Sequence, residues 1–195
     1  MTRVAVNDGR LANVFVYVRE GLTGEYPASG DAPVLDQEGC EYHPHVFGVQ
    51  AGQEFIVRNS DDLLHNINAN PSVNRGFNMG QPTIMEGRRT FSEPEIMIPV
   101  RCDAHGWMEA YIGVVDHPYF AVTGEDGSFQ IENLPPGTYV LEAWHETLGT
   151  QTMNVTVGPN ELGTADFSYD AAAALNADVP LGEPLVIHWH GDERR

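Results

Sequence analysis

Apolar and polar positions alternate along most of the chain with a period of two, the signature of half-buried strands, so the sequence reads as nearly all β. Residues 12–18 (A-N-V-F-V-Y-V) predict one such strand, preceded by a short strand at 4–6 and a turn at Asn7-Asp8-Gly9. Residues 20–38 carry Gly, Pro, Ser and acids and predict a connection. Residues 46–58 predict two strands about a turn at Gln50-Ala51-Gly52-Gln53. Residues 60–89 hold few β-branched runs and many Asn, Gly and Pro, which predicts one long loop. Strands resume at 95–101 and 110–115. A strand–turn rhythm follows, with strands at 120–123, 128–131, 138–144, 150–157 and 165–169. Glu125-Asp126-Gly127 and Leu134-Pro135-Pro136-Gly137 supply turns between them. Only residues 171–177 suit a helix, of one or two turns. Short strands at this spacing build sandwiches or barrels.

Length and composition fit that picture. A chain of 195 residues suits one large or two small domains with a real core, and 42% hydrophobic with 19% charged residues is ordinary for a globular protein. No window approaches 18 consecutive apolar residues, so no helical membrane span is expected. Charge narrows the function classes. There are 28 acids against 10 bases, all ten of them arginine, for a net charge of −18. Clustered cations for phosphate are lacking, which argues against nucleic acid and against an anionic membrane surface. A cationic partner or a salty medium fits better.

The chemistry concentrates in Arg101-Cys102-Asp103-Ala104-His105-Gly106-Trp107-Met108, a C-x-x-H-x-x-M loop between two apolar strands. Upstream, Leu63-Leu64-His65-Asn66-Ile67 supplies a second histidine after Asn59-Ser60-Asp61-Asp62. One thiolate, two imidazoles and a thioether are the ligand set of a mononuclear blue-copper site. Soft sulfur favours Cu(I), imidazole accepts both oxidation states, and a long axial thioether tunes the potential. A rigid β scaffold keeps reorganisation small. Cys40 opens other readings: a Cys40–Cys102 disulfide that would remove the thiolate, or a metal site altered by Cys40 or His45.

These residues make the chain resemble the cupredoxins. The C-x-x-H-x-x-M spacing is similar to the short ligand loop of amicyanin-like members. Tyr42-x-Pro44, Val49-Gln50-Ala51-Gly52-Gln53, Phe55-Ile56-Val57-Arg58-Asn59 and His65-Asn66 are similar to plastocyanin-like ones, and the resemblance covers residues 34–116. It implies a Greek-key sandwich, one copper ion held by His65, Cys102 and His105 with Met108 as weak axial donor, and Asn66 fixing the ligand loops. Electron transfer with a redox protein, such as a c-type cytochrome or an oxidase complex, would follow. Trp107 would offer an apolar docking contact.

Residues 120–139 (F-A-V-T-G-E-D-G-S-F-Q-I-E-N-L-P-P-G-T-Y) resemble the carboxypeptidase regulatory-like domain, a smaller transthyretin-like sandwich, as do residues 9–18. The implied organisation is a copper domain at 28–116 inserted in a sandwich formed by 1–27 and 117–170, with a tail at 171–195. Similar combinations in bacterial methylamine-utilisation or plastocyanin-like proteins imply a periplasmic or extracellular setting, the signal peptide being removed. The first six residues themselves show no signal-peptide pattern.

Other motifs are expected to be structural. His43 and His45 share a face of an extended segment, Trp144-His145-Glu146 reads as an aromatic strand end, and His188-Trp189-His190 reads as a packed tail or an assembly contact. No Gly-rich phosphate loop is present. A Cys102–His105 nucleophile would leave His65 and Met108 without a role, so a non-enzymatic carrier is expected. The alternative is a structural or cell-surface sandwich stapled by Cys40–Cys102.

Overall fold

The computed structural model of the chain describes residues 6–28, 30–159 and 161–169, together with the backbone of 185–189. The described residues are all-β, and none of them forms a helix long and apolar enough to cross a membrane. The helix expected at 171–177 lies outside the described residues, as does His190.

In chain order the strands are β1 (Val6–Asn7), β2 (Arg10–Leu11), β3 (Phe15–Glu20), β4 (Val34–Glu38), β5 (Glu41–His43), β6 (Val46–Gln50) and β7 (Glu54–Asn59). They continue as β8 (His65–Ala69), β9 (Phe77–Gln81), β10 (Met85–Thr90), β11 (Glu95–Arg101), β12 (Glu109–Val115) and β13 (Phe120–Val122). The last are β14 (Ser128–Phe129), β15 (Gly137–His145), β16 (Gly149–Val157), β17 (Asp166–Tyr169) and β18 (Leu185–Trp189). They fall into two compact units, one of Glu25–Pro118 and one of Met1–Gly24 with Tyr119–Arg195.

Two expectations need correction. Residues 34–38, expected within the 20–38 connection, form β4, which pairs with β5 as a hairpin. Residues 60–89, expected as one loop, hold β8, β9 and β10. The reason is the same in both places. These strands are polar, and β9 and β10 are largely exposed, so the hydrophobic alternation that marks a half-buried strand is weak. Pairing with β8 and β7 through backbone hydrogen bonds makes them strands regardless. The strand expected from residue 12 begins instead at Phe15, because Asn13 takes a left-handed φ of 61°.

The Glu25–Pro118 unit is a sandwich of two sheets, β10-β7-β4-β5 and β6-β12-β11-β8-β9. Alternate residues of both sheets fill the space between them: Leu35, Phe55 and Val57 from the first, Phe47, Val49, Ile67, Val100 and Ile112 from the second. Phe55 is fully buried and stacks on Phe91 at 5.6 Å between ring centroids. A bulge interrupts β11 between Glu95 and Ile98, where Met97 turns to φ 61°. The other unit holds β13-β3-β15-β16 and a second sheet, β1-β2-β18-β14, with β17 also on β18. There His145 is buried and accepts the N–H groups of Thr147 and Leu148, closing the turn after β15. The segment 185–189, expected in a tail, pairs with β17 as a sheet strand.

One end of the first sandwich gathers the interesting residues by topology. β8 runs antiparallel to β11, with Asn68 opposite Arg101, so the start of β8 lies beside the end of β11. β4 runs parallel to β7, with Gln37 opposite Asn59. The tip of the β4–β5 hairpin therefore lies at the end from which the 60–64 segment leads into His65.

Truncating Phe55 to Ala should cost about 3–5 kcal/mol, read as a lower urea midpoint. Glu95 allows a pH prediction. Burial works to raise its pKa, but the N–H of Asn74, the Asn74 amide and the N–H of Ser72 outweigh it and hold it below the ordinary 4.5. A lowered folded pKa contributes stability above the unfolded value that is lost as pH falls through the folded one. Glu95→Gln should therefore flatten the acid side of the stability profile below about pH 4.5, measured by urea unfolding across pH.

Candidate metal centre

His65 opens β8 and is fully buried. Its Nε2 lies 2.8 Å from Asp61 Oδ2, so the carboxylate takes the Nε2–H and leaves the Nδ1 lone pair facing inward. His105 meets it there: the two Nδ1 atoms are 3.0 Å apart and the rings 4.7 Å between centroids. Cys102, buried just beyond the end of β11, places its Sγ 3.7 Å from His105 Nδ1. Donors sharing one first-row ion sit at about 2.0–2.1 Å for nitrogen and about 2.3 Å for sulfur, so two nitrogens stand at most about 4.2 Å apart and a nitrogen and a sulfur at most about 4.4 Å. Both measured separations fall inside those limits. The donor chemistry fits one soft-to-borderline ion.

Met108 closes the loop. Its N–H donates to the His105 carbonyl at 3.0 Å and its own carbonyl accepts the Cys102 N–H at 3.2 Å. The side chain is fully buried in the core cluster that also contains Cys102. The structure thus links Cys102 to His105 and His105 to His65 through their donor atoms and anchors Met108 in the same loop through the backbone.

Asn66 fixes the loop as the resemblance implied. Its Oδ1 accepts the N–H of Asp103 at 2.7 Å and of Ala104 at 3.3 Å, and lies 3.4 Å from the Cys102 thiol. Its Nδ2 donates to Asn78 and Asp103, and its carbonyl accepts the hydroxyl of buried Tyr42 at 2.6 Å. Burial first, then the charges of Cys102 and Asp103, push the Tyr42 phenol far above its usual pKa, so it stays a donor. Amides of Asn68 and Asn78, with Asn66, hold the Asp103 carboxyl below its usual range.

Two other sequence readings are settled by contacts. Cys40 and Cys102 are both free thiols, which removes the disulfide staple. His45 is bound elsewhere, with Nδ1 at 3.0 Å from the Glu109 carbonyl and its ring edge-on to Tyr111. His43 is exposed, 3.9 Å from Glu41. Sequence reasoning missed Asp61 as the partner of His65, although its spacing four residues earlier was the available signal. It also left Cys40 unplaced. Cys40 Sγ and one ring nitrogen from each of His65 and His105 all lie within 4.8 Å of one another.

No protein-family model matches the chain, and no curated protein matches it. Among solved structures it is similar to a Cu-containing nitrite reductase from Thermus scotoductus SA-01, at 17% identity and TM-score 0.41, over 48% of this chain and 24% of that one. The chain thus spans about a quarter of that reductase. It is also similar to an oxidised amicyanin mutant, at 17% identity and TM-score 0.39, over 51% of this chain and 97% of that one. A purple cupredoxin from Nitrosopumilus maritimus matches at 20% identity and TM-score 0.37, over 43% of this chain and 99% of that one.

Asn66→Ala should strand the loop amides of Asp103 and Ala104 and cost about 1–3 kcal/mol. It should also speed alkylation of Cys102, measured by peptide mass after timed labelling.

Proposed function

We propose that the Glu25–Pro118 unit holds one copper ion and carries single electrons to and from a redox protein. His65, Cys102 and His105 would serve as the close donors and Met108 as a weak fourth one. The observation that carries this reading is the convergence of two imidazole Nδ1 atoms, 3.0 Å apart, with the Cys102 thiol at 3.7 Å from one of them. Copper, when bound, supplies one-electron exchange between Cu(II) and Cu(I).

The chain's own residues do the rest. Asp61 holds the His65 proton on Nε2 and keeps Nδ1 available at either oxidation state. Asn66 ties the Cys102 loop to β8, so the loop donors are braced against a strand and shift little when charge changes. His105 is half-buried, whereas His65 is buried, so His105 is the ligand edge nearest solvent. Its ring lies 5.2 Å from that of Trp107, which is 58% exposed, and Leu63 and Leu64 are also exposed on the His65 loop. This apolar rim suits a transient docking contact, and a net charge of −18 suits a cationic partner such as a c-type cytochrome or an oxidase complex. A periplasmic or extracellular setting and a non-enzymatic role accompany the proposal. For the accompanying unit we propose a carboxypeptidase regulatory-like sandwich that displays the copper domain.

Adding Cu(II) to the metal-free chain should produce an intense thiolate-to-copper band in the visible at one equivalent. Cys102→Ala should abolish it. Met108→Leu should keep the colour and raise the reduction potential, because losing a weak donor destabilises Cu(II) more than Cu(I). A wild-type chain that stays colourless with copper overturns the reading.

A further inference from the structure

Gly39 and Cys40 form the two-residue tip of the β4–β5 hairpin, with φ of 63° and 58°. Two positive φ values are what a tight hairpin with native twist demands, and Gly or Asn normally meets that demand. Cysteine has a Cβ and no local hydrogen bond to offset it, so holding it there costs about 1–2 kcal/mol. Such a conformation persists where the surroundings enforce it.

Here they do, and through the two histidine loops. Both N–H groups of the tip donate to Asp61, Gly39 to Oδ1 and Cys40 to Oδ2, each at 2.9 Å. The same Oδ2 accepts from His65 Nε2. On the other side, Trp107 donates its indole N–H to the Cys40 carbonyl at 3.1 Å. The hairpin tip is therefore fastened to a residue four before His65 and to a residue two after His105. The half-buried Cys40 thiol is left within 4.8 Å of a nitrogen of each histidine, a bound a few tenths of an ångström wider than the roughly 4.4 Å that a nitrogen and a sulfur of one ion span.

We propose that Cys40 is a second thiolate ligand of the same ion. Cys40 would join His65 and His105, whose nitrogens lie near its thiol, in holding the ion, beside the donors proposed above. Ligation would release the Cys40 thiol proton to solvent, with no change of oxidation state. The added negative charge would offset more of the charge of Cu(II) than of Cu(I) and so lower the potential. This rests on the copper reading above and extends only its ligand set.

The test uses the full chain loaded with copper, with Cys40→Ser and Cys40→Gly beside it. X-ray absorption at the copper edge should count two short sulfur bonds in the wild type and one in each variant. Either variant should raise the reduction potential and weaken Cu(I) binding by about 10-fold or more. Cys40→Gly separates ligation from folding. It relieves the left-handed strain, so the metal-free variant should melt no lower than wild type while still binding copper more weakly. One short sulfur in wild type, with Cys40 alkylated equally fast with and without copper, overturns the inference and leaves the copper reading standing. Failure of the wild type to bind copper at all overturns both.

Discussion

A single carboxylate organises the metal end of the sandwich. Asp61 accepts the N–H groups of Gly39 and Cys40 and the Nε2–H of His65. Three donors on two oxygens hold it ionised: the Cys40 N–H contributes most to lowering its pKa, opposed by burial and reinforced by His65 and Gly39. That charge does two things at once. It selects the His65 tautomer whose free lone pair points into the site, and it holds a left-handed hairpin tip against the ligand loop. Asp61 is itself fixed by Asn59, whose Oδ1 accepts the Asp61 N–H at 3.0 Å. The fully buried Asn59 also donates to the carbonyls of Leu63, Gln81 and Thr83, so the whole 60–64 segment is bound to β7 and β9.

A second polar hub lies across the site. Asn66, on β8, joins the loop after β11 by its Oδ1, and Asn68 and Asn78 add their amides to Asp103. Amide side chains in these places do what backbone pairing cannot do at a strand end, where the ladder stops and loop N–H groups need partners. The apolar core beneath, with Phe55, Ile67 and Val100, keeps the strands in register, and the amides carry that order into the loops. A site with little freedom on either face is suited to a charge that changes by one with small movement of its ligands.

The sequence made the buried half of this legible. Period-two runs such as Phe55-x-Val57 and Ala110-x-Ile112-x-Val114 marked central strands, and C-x-x-H-x-x-M marked the loop between two of them. The strands at 65–69, 77–81 and 85–90 were hidden because Asn, Gly and Arg dominate them and their ordering comes from partners far along the chain. The same residues that disguised them, Asn66, Asn68 and Asn78, turn out to be the braces of the ligand loop. Cys40 was unreadable for a different reason. Its relation to His65 and His105 depends on the register of β4 with β7, Gln37 opposite Asn59, which no local pattern encodes.

Charge adds the last step. Among the described residues the arginine pairs lie at the surface, among them Arg58 with Glu86 at 2.8 Å, Arg19 with Glu142 at 2.8 Å, Arg101 with Glu109 at 3.4 Å, and Arg88 with Glu54. Exposed pairs of this kind contribute about 0–1 kcal/mol each, so the acidic excess is not what holds either sandwich together. What remains is a net field. With 28 acids against 10 bases it acts at a distance, strongest at low ionic strength where the screening length is long. Such a field accelerates encounter with a cationic surface and leaves final docking to short-range contacts. The exposed Trp107 beside the half-buried His105, with Leu63 and Leu64 exposed on the segment leading into His65, offers apolar surface of that second kind. Long-range charge and a short-range apolar rim together describe a contact that forms quickly and releases quickly, which is what a carrier of single electrons requires.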